Sequence, residues 1–166
     1  MTPKRSTPVG SDNALTLASF EPRLALIAQR LASNGTLAHV FGGAVRDALV
    51  GTRAYDLDMT VDGSARDEGE SLAELLGGAY FDLDVERGIG RVALAGESPL
   101  TVDLTGRITA DDIDAHLRGR DFTINAMAVS LPELAAGNAR VIDPTLGLGD
   151  LQAGLVRALS AQAFDD

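Results

Sequence analysis

Residues 39–61, HVFGGAVRDALVGTRAYDLDMTV, contain the pattern that decides the fold. A short run of β-forming residues leads into Gly42-Gly43, and the helical segment that follows stops at Gly51. Residues 55–61 then alternate between polar and apolar side chains, as a strand with one buried face does. The order strand, glycine turn, helix, strand predicts an α/β (α+β) fold in which helices flank a sheet.

The composition is that of one folded, soluble domain. Of the 166 residues, 45% are apolar and only 4% are aromatic, so Leu, Val, Ile and Ala must build the core. The absence of cysteine excludes a disulfide framework, a thiolate zinc site and a cysteine nucleophile. No stretch approaches the roughly 20 apolar residues that span a bilayer, and no signal peptide is evident. These features predict a cytoplasmic protein without a membrane partner.

The net charge of -10 bears on possible partners. A large footprint on a nucleic-acid backbone needs clustered Lys and Arg, so we expect the chain alone to bind RNA poorly. Most carboxylates are expected to be solvated surface, but their excess is compatible with a divalent-cation site.

The chain divides into three predicted regions. Residues 1–13 are rich in Pro, Ser, Thr, Gly and Asn without periodicity, which predicts a disordered leader. Residues 14–158 are predicted to form one domain. Residues 159–166 do not form a finished terminal element and are expected to begin a further domain.

Other elements are predicted by their periodicity. The predicted helices are 20–33, 65–76 and a short one near 150–154, and the predicted strands are 79–85, 91–95, 100–105 and 140–143, with a short helix running into a strand over 118–129.

Asp56 and Asp58 are the sharpest chemical feature. On a strand, carboxylates separated by one residue project to the same side, about 6–7 Å apart at their Cα atoms. Mg²⁺ commonly uses one or two carboxylates together with substrate phosphates, so this pair could join the protein to a nucleotide. Taken alone, however, Asp-x-Asp more often marks the solvated face of an edge strand.

Gly42 and Gly43 strengthen the first interpretation. Glycines at a turn from strand to helix let backbone N–H groups approach a phosphate, although an ordinary tight turn would also use them. Arg46 lies in the next turn, where it could bind phosphate oxygens or instead pair with Asp47 or Asp56.

Residues 41–61 resemble motif A of the class II tRNA nucleotidyltransferases (CCA-adding enzymes) and bacterial poly(A) polymerases. Residues 120–128, RDFTINAMA, resemble the second signature of that family, and residues 143–157 resemble the third, with Asp-Pro, Gly-Asp-Leu and Arg in the family's order. The resemblance covers most of the chain. It implies the N-terminal catalytic head of such an enzyme, with a polymerase-β-like fold and a mixed sheet flanked by helices.

The resemblance also implies a reaction. Gly42 and Gly43 would hold the triphosphate of CTP or ATP, while Asp56 and Asp58 hold Mg²⁺ or Mn²⁺ near an RNA 3′-hydroxyl. The hydroxyl would attack the α-phosphate and pyrophosphate would leave. Because metal ions stabilise both the attacking and the leaving oxygen, no protein nucleophile is required.

Further residues receive roles through the same resemblance. Asp103, on the strand 100–105, is the candidate third carboxylate, unless it is an exposed aspartate or a shift of one residue turns it to the other face. Arg120, Asp121 and Asn125 match residues that contact the ribose, and a helix would align Asp121 with Asn125.

Two positions depart from the family pattern: Gly119 replaces the first Arg of Arg-Arg-Asp, and His116 replaces an Asp. His116 and His39 are too isolated to predict a metal or acid–base site and are assigned surface or packing roles. Turn, capping and packing roles are assigned to three charged residues of the third signature: Asp143, Asp150 and Arg157.

The choice of nucleotide is expected to lie outside this chain. In the family, a following neck domain selects the base, and domains beyond it hold the tRNA. The short segment between Leu104 and the second signature resembles CC-adding enzymes and slightly favours CC addition. A nucleotide-sensing module and an Asp-x-Asp glycosyltransferase are the rival hypotheses; the paired aspartates disfavour the first, and RDFTINAMA disfavours the second. No obligate protein partner is inferred.

Overall fold

A computed structural model describes residues 15–161, so the predicted leader 1–13 and residues 162–166 lie outside the described part. The predicted domain boundary at residue 158 stays a prediction. The helices are α1 (Leu24–Ser33), α2 (Gly43–Leu49), α3 (Ala65–Leu76), α4 (Ile113–Arg118), α5 (Leu131–Ala135) and α6 (Gly147–Ala153). The strands are β1 (Ala38–Phe41), β2 (Asp56–Val61), β3 (Ala79–Asp84), β4 (Ile89–Leu94), β5 (Leu100–Thr105) and β6 (Ala128–Ser130).

The strands form one six-stranded sheet in the order β3-β4-β5-β2-β1-β6. β2 and β5 pair in parallel, and the other neighbouring strands pair antiparallel. The predicted mixed sheet flanked by helices is therefore confirmed. No helix within residues 15–161 has the length and apolar character needed to cross a bilayer.

The main core lies on one face of the sheet, under α1, α2 and α3. β2 contributes Leu57, Met59 and Val61 to this face, and each is at most 2% exposed. α1 buries the predicted residues at i, i+3, i+4 and i+7, namely Leu24, Ile27, Ala28 and Leu31. The helix begins at Leu24 rather than at Phe20. Gly69 lets α3 pack closely on the sheet, because any side chain at this position would overlap the Tyr80 ring.

A smaller apolar cluster lies on the opposite face. In this cluster Phe41 of β1 packs with residues of α4 and of the segment that leads into β6, namely Ile113, Leu117, Ala126 and Ala128. Thr60 lies on the same face of β2 as Asp56 and Asp58, but it is completely buried and its Oγ1 has no hydrogen-bond partner among the described residues. The prediction of an open polar face is therefore right for the aspartates and wrong for Thr60. Tertiary packing, which alternation does not reveal, covers that end of the strand.

The segment 118–129 departs from its predicted short helix, whereas the strand predicted after it is present as β6. Only Thr123–Asn125 form a 3₁₀ turn, so Asp121 and Asn125 do not share a helix. The Thr123 amide donates to the carbonyl of Arg157, and Phe122 forms an isolated bridge with Ala158. These long-range backbone hydrogen bonds replace the bonds that a helix would make.

Smaller corrections concern the C-terminal third. Residues 140–143 do not form a strand; isolated bridges join Ala139 to Leu15 and Ile142 to Ala128. α5, which was not predicted, begins with a proline in its first turn, a position where the missing N–H costs little. α6 begins at Gly147, three residues before the predicted helix.

Candidate active site

Gly42 connects β1 to α2 and lies directly against Asp58. Its φ of +73° is in the left-handed region, and its amide donates to the carbonyl of Met127 at 3.0 Å. A Cβ atom at this position would lie 3.2 Å from Asp58 Oδ2. The backbone conformation therefore favours glycine, and a side chain at this position would crowd the Asp58 carboxylate. The predicted turn and the predicted carboxylate pair meet at this point.

The paired aspartates lie on the face of β2 opposite the main core. Asp56 is exposed and Asp58 is partly buried. Within residues 15–161, no group of three or more His, Cys, Asp or Glu side chains is arranged to hold a metal ion. An all-protein cage is therefore not present in this region. The carboxylates fit instead a hard cation whose remaining ligands come from substrate phosphates and water, which is the usual environment of Mg²⁺.

Electrostatics single out Asp58 among the carboxylates of the site. Burial raises the pKa of Asp58, Asp103 and Asp56 raise it further, and the positive charges of Arg120 and Arg91 oppose that shift. Ionisation of Asp58 is thus less favourable in the free protein than in water. A divalent cation would reverse this balance by favouring the carboxylate.

Asp103 lies on the predicted face. It is the Cα partner of Asp58 in the parallel pairing of β5 with β2. Its carboxylate accepts two hydrogen bonds from Arg91, at 2.7 Å from Nε and 2.8 Å from Nη2. Planar bidentate pairs of this kind are strong and geometrically specific. The role of Asp103 as third carboxylate stays a prediction. A metal ion at Asp103 would compete with Arg91 for this carboxylate.

Arg46 lies at the start of α2, beside Gly43. Its Nε donates to Asp47 at 2.9 Å, and its Nη1 donates to Asn125 Oδ1 at 2.7 Å. Of the two aspartates predicted as alternative partners, Asp47 is therefore the one that pairs. A Cβ atom at Gly43 would lie 3.4 Å from Arg46 Nη2, so the guanidinium lies alongside the glycine turn.

The second signature reaches the site through Arg120 and Asn125. The Arg120 guanidinium lies 5.0 Å from the centroid of the Phe41 ring and is close enough to Asp58 to lower its pKa. The backbone carbonyl of Asn125 is 3.9 Å from the position of a Cβ atom at Gly42. Asp121 is exposed, and its carbonyl accepts from the Leu159 amide. The structure therefore brings Arg120 and Asn125 to the glycine turn, but it does not align Asp121 with Asn125.

His116 and Arg91 lie at the site, although the sequence assigned them no part in it. The ring of His116 packs edge-on against Phe41, with centroids 4.8 Å apart, and its Nε2 is buried without a hydrogen-bond partner among the described residues. Burial and the nearby Arg120 charge lower the pKa of His116. The predicted packing role is observed. The position of Arg91 beside Asp103 follows only from the register of β4 with β5. The local sequence RVALA does not indicate a role in the site.

Residues of the third signature hydrogen-bond to the second signature and to the start of α6. Asp143 accepts hydrogen bonds from the amides of Gly147 and Leu148 at the start of α6. Asp150 accepts from Thr123 Oγ1 at 2.7 Å and from Arg157 at 3.0 Å. These contacts agree with the turn, capping and packing roles that were predicted.

Comparison with known proteins gives a consistent result. Residues 95–157 match the family described as Poly A polymerase head domain. The chain is 40% identical over 153 residues to a CC-adding tRNA nucleotidyltransferase of Geobacter sulfurreducens, covering 92% of this chain and 34% of that protein. It is also 40% identical over 123 residues to an A-adding tRNA nucleotidyltransferase of Deinococcus radiodurans, covering 74% of this chain and 26% of the relative.

A solved structure agrees with these relatives. The Thermotoga maritima CCA-adding enzyme complexed with tRNA superposes with a TM-score of 0.71 and 30% identity, covering 87% of this chain and 34% of that one. The chain thus spans about a third of the length of the proteins it matches. With the Gly42 turn, the paired aspartates and both later signatures in place, the chain belongs to the family of tRNA nucleotidyltransferases and poly(A) polymerases, and it contains that family's head domain.

Proposed function

We propose that the protein transfers CMP, AMP or both from the triphosphate to the 3′-hydroxyl of tRNA, with release of pyrophosphate, and that this chain is the catalytic head. The contact between Gly42 and Asp58 supports this proposal most strongly. It places a backbone turn that can approach phosphates next to a carboxylate that can hold a cation. The tRNA nucleotidyltransferases that the chain resembles support the choice of tRNA as acceptor. A cytoplasmic location agrees with that role.

Asp56 and Asp58 would hold the metal ion. When bound, Mg²⁺ or Mn²⁺ would neutralise charge on the α-phosphate and lower the pKa of the attacking hydroxyl. Burial raises the pKa of Asp58, and a bound cation would oppose that shift. Asp103 would add negative charge beside it. The protein itself then has to position the substrates, and it does not have to supply a nucleophile.

Gly42 and Gly43 would lie against the triphosphate, where any larger side chain would separate the phosphates from Asp58. The Arg46 bond fixes the orientation of the Asn125 amide, because Oδ1 accepts from Arg46 and Nδ2 is the remaining donor. A fixed amide donor is suited to a ribose hydroxyl. Arg120, held over the Phe41 ring, would supply a positive charge near the phosphates.

Asp121 keeps its proposed role as a ribose contact. Its carboxylate is exposed, so an incoming nucleotide could reach it without a rearrangement of the core. The contact would come from the chain before the 3₁₀ turn rather than from a helix shared with Asn125.

The identity of the added nucleotide is a separate part of the proposal. Relatives named as CC-adding and as A-adding reach the same identity of 40%. The segment between Leu104 and the second signature is short, which slightly favours CC addition. The acidic charge of the chain leaves most of the tRNA contact to a basic surface elsewhere in the protein.

Transfer to tRNA that lacks its 3′ end tests the proposal directly. The purified protein is incubated with this tRNA, Mg²⁺ or Mn²⁺ and one NTP at a time, and the products are resolved by length. Addition of C, of A or of both identifies the nucleotide. The absence of any addition under all these conditions would contradict the enzymatic function.

Matched variants connect the activity to the site. Asp58→Ala is expected to lower the transfer rate by at least about 100-fold, because even residues that only support a metal ligand typically contribute about 10–100-fold. Glu74→Ala removes an exposed carboxylate from α3 on the other side of the sheet and should leave the rate unchanged. Equal activity of the two variants would refute the role of Asp58.

A further inference from the structure

A row of paired residues crosses the site face of the sheet from its edge to the centre. Phe81 pairs with Arg91, Arg91 with Asp103, Asp103 with Asp58, and Asp58 with Phe41. Paired residues on neighbouring strands project to the same side of a sheet. Phe81 on the edge strand β3 therefore shares an open face with the carboxylates of the site.

Phe81 does not belong to the core of the domain. Its side chain is 52% exposed, and Leu83, two residues further along the same strand, is 50% exposed. The neighbouring Tyr80 points to the opposite face, where it packs against Gly69 of α3 and Gly90 of β4. Large apolar side chains that stay exposed beside a functional site commonly mark a binding surface.

The position of Phe81 suits one kind of ligand. Three strand spacings separate β3 from β2, which places the Phe81 Cα about 14 Å from that of Asp58. A few nucleotides of a single strand would cover this distance if the 3′ end lay at Asp58. Arg91 lies between the two, and 42% of its side chain is exposed. Nε and Nη2 bind Asp103, so Nη1 is the nitrogen that remains to meet a phosphate.

The charge of the chain favours stacking as the means of holding such a strand. A protein with a net charge of -10 has few cations to follow an RNA backbone, so the phosphates contribute little affinity here. Stacking of a base on an aromatic ring does not require a positive surface and accepts every base. An aromatic ring next to a single guanidinium is therefore a combination that an acidic surface can offer to RNA.

We propose that Phe81 is a stacking surface for a base of the acceptor RNA strand, a few nucleotides from the 3′ end that lies at Asp58. Arg91 contacts a phosphate between the two points. The inference rests on the proposed transfer to RNA. It assigns a path to the acceptor strand across β5, β4 and β3.

Fluorescence tests the surface without the reaction. The chain contains no tryptophan, so Phe81→Trp introduces a single reporter at the surface. Titration with a short single-stranded RNA that has the sequence of a tRNA 3′ end without CCA should quench its emission, because the indole stacks on a base. Val85→Trp places a reporter on the same hairpin at a side chain that is 72% exposed, and it should respond weakly. No quenching at Phe81→Trp, or equal quenching at both positions, would overturn the proposal.

Kinetics test the same surface in the reaction. Phe81→Ala and Phe81→Leu should each raise the KM for tRNA roughly tenfold, as expected for the loss of one stacked base, and leave the KM for the triphosphate unchanged. Phe81→Trp should retain the wild-type KM, because it retains a stacking ring. A wild-type KM for Phe81→Leu would mean that the surface is only apolar, which contradicts stacking.

The two proposals fail in different ways. If the wild-type protein transfers nucleotides and Phe81→Ala has an unchanged KM for tRNA, only the stacking surface is refuted. If the wild-type protein transfers nothing, the proposed function fails, and the quenching experiment still decides whether RNA binds at β3. If Phe81→Ala lowers Tm and Phe81→Trp is not quenched, another part of the protein covers this face, and the stacking surface is again refuted.

Discussion

The two faces of β2 differ although one alternating sequence produces both. On the helix side, Leu57, Met59 and Val61 are uniformly buried. On the site side, burial increases along the strand: Asp56 is exposed, Asp58 is partly buried and Thr60 is 0% exposed. The first face serves stability alone. The second carries the candidate site, where burial raises the pKa of Asp58.

Met59→Ala is the largest expected perturbation of the helix side. Met59 is 0% exposed in the main core, and truncation of such a side chain to alanine typically costs about 2–5 kcal/mol of the free energy of unfolding. Denaturant unfolding measures the loss. Met59→Leu nearly conserves the volume and should cost less than about 1.5 kcal/mol. Equal stability of Met59→Ala and the wild type would show that this face is not the core.

Asp103→Asn perturbs the site side. If Asp103 adds the third carboxylate, the transfer rate should fall by about 10–100-fold while Tm stays near the wild-type value. Single-turnover transfer measures the rate. Thr101→Val, on the same face of the same strand, is the matched control and should retain activity. An unchanged rate for Asp103→Asn would leave Asp56 and Asp58 as the whole carboxylate set.

Thr60→Val tests the buried end of the site face. The Thr60 hydroxyl has no partner among the described residues, and leaving a buried polar group unpaired costs about 1–3 kcal/mol. The substitution should therefore raise the free energy of unfolding, by about 1 kcal/mol or more. Thr105→Val, at the paired position on β5 where burial is only partial, should have a smaller effect. A destabilised Thr60→Val protein would indicate that the hydroxyl is hydrogen-bonded in solution.

Asp58→Asn should have only a small effect on stability, and the sign of that effect is informative. Because the folded protein raises the pKa of Asp58, ionisation in the metal-free protein costs stability as the pH rises above the unfolded pKa of about 3.9. The amide removes this cost, so the variant should have a higher Tm than the wild type at neutral pH and an equal Tm at pH 3. Thermal unfolding in EDTA at both pH values measures the difference. A lower Tm of the variant at pH 7 would show that Asp58 is stabilised as a carboxylate by the protein alone.

The comparison of the faces also shows what the sequence could predict. Alternation over residues 55–61 predicted the strand and the two faces, because pleating is a local property. It could not predict the burial of Thr60, since burial depends on tertiary packing that the alternation of one strand does not encode. The Gly42 turn was predictable because a positive φ restricts the residue type.

Partners that are distant in sequence explain the remaining differences. Residues 118–129 were predicted as a short helix running into a strand. The strand is present as β6, but the backbone before it hydrogen-bonds to Arg157 and Leu159, which no local propensity encodes. The pairing of Arg91 with Asp103 depends on the register of β4 with β5. The carboxylate pair, the glycine turn and several of their neighbours were therefore predicted from motifs, whereas the contacts of Arg91 and His116 required the tertiary structure.

Binding of a metal–nucleotide complex tests the central claim most directly. Mn²⁺ is a spectroscopic substitute for Mg²⁺, and paramagnetic resonance counts the ions that the protein binds in the presence of CTP or ATP. The wild-type protein and Glu74→Gln should bind Mn²⁺ with at least one of the two nucleotides, and Asp58→Asn should lose that binding. Retention of Mn²⁺ and nucleotide by Asp58→Asn at the wild-type affinity would contradict the assignment of the metal site.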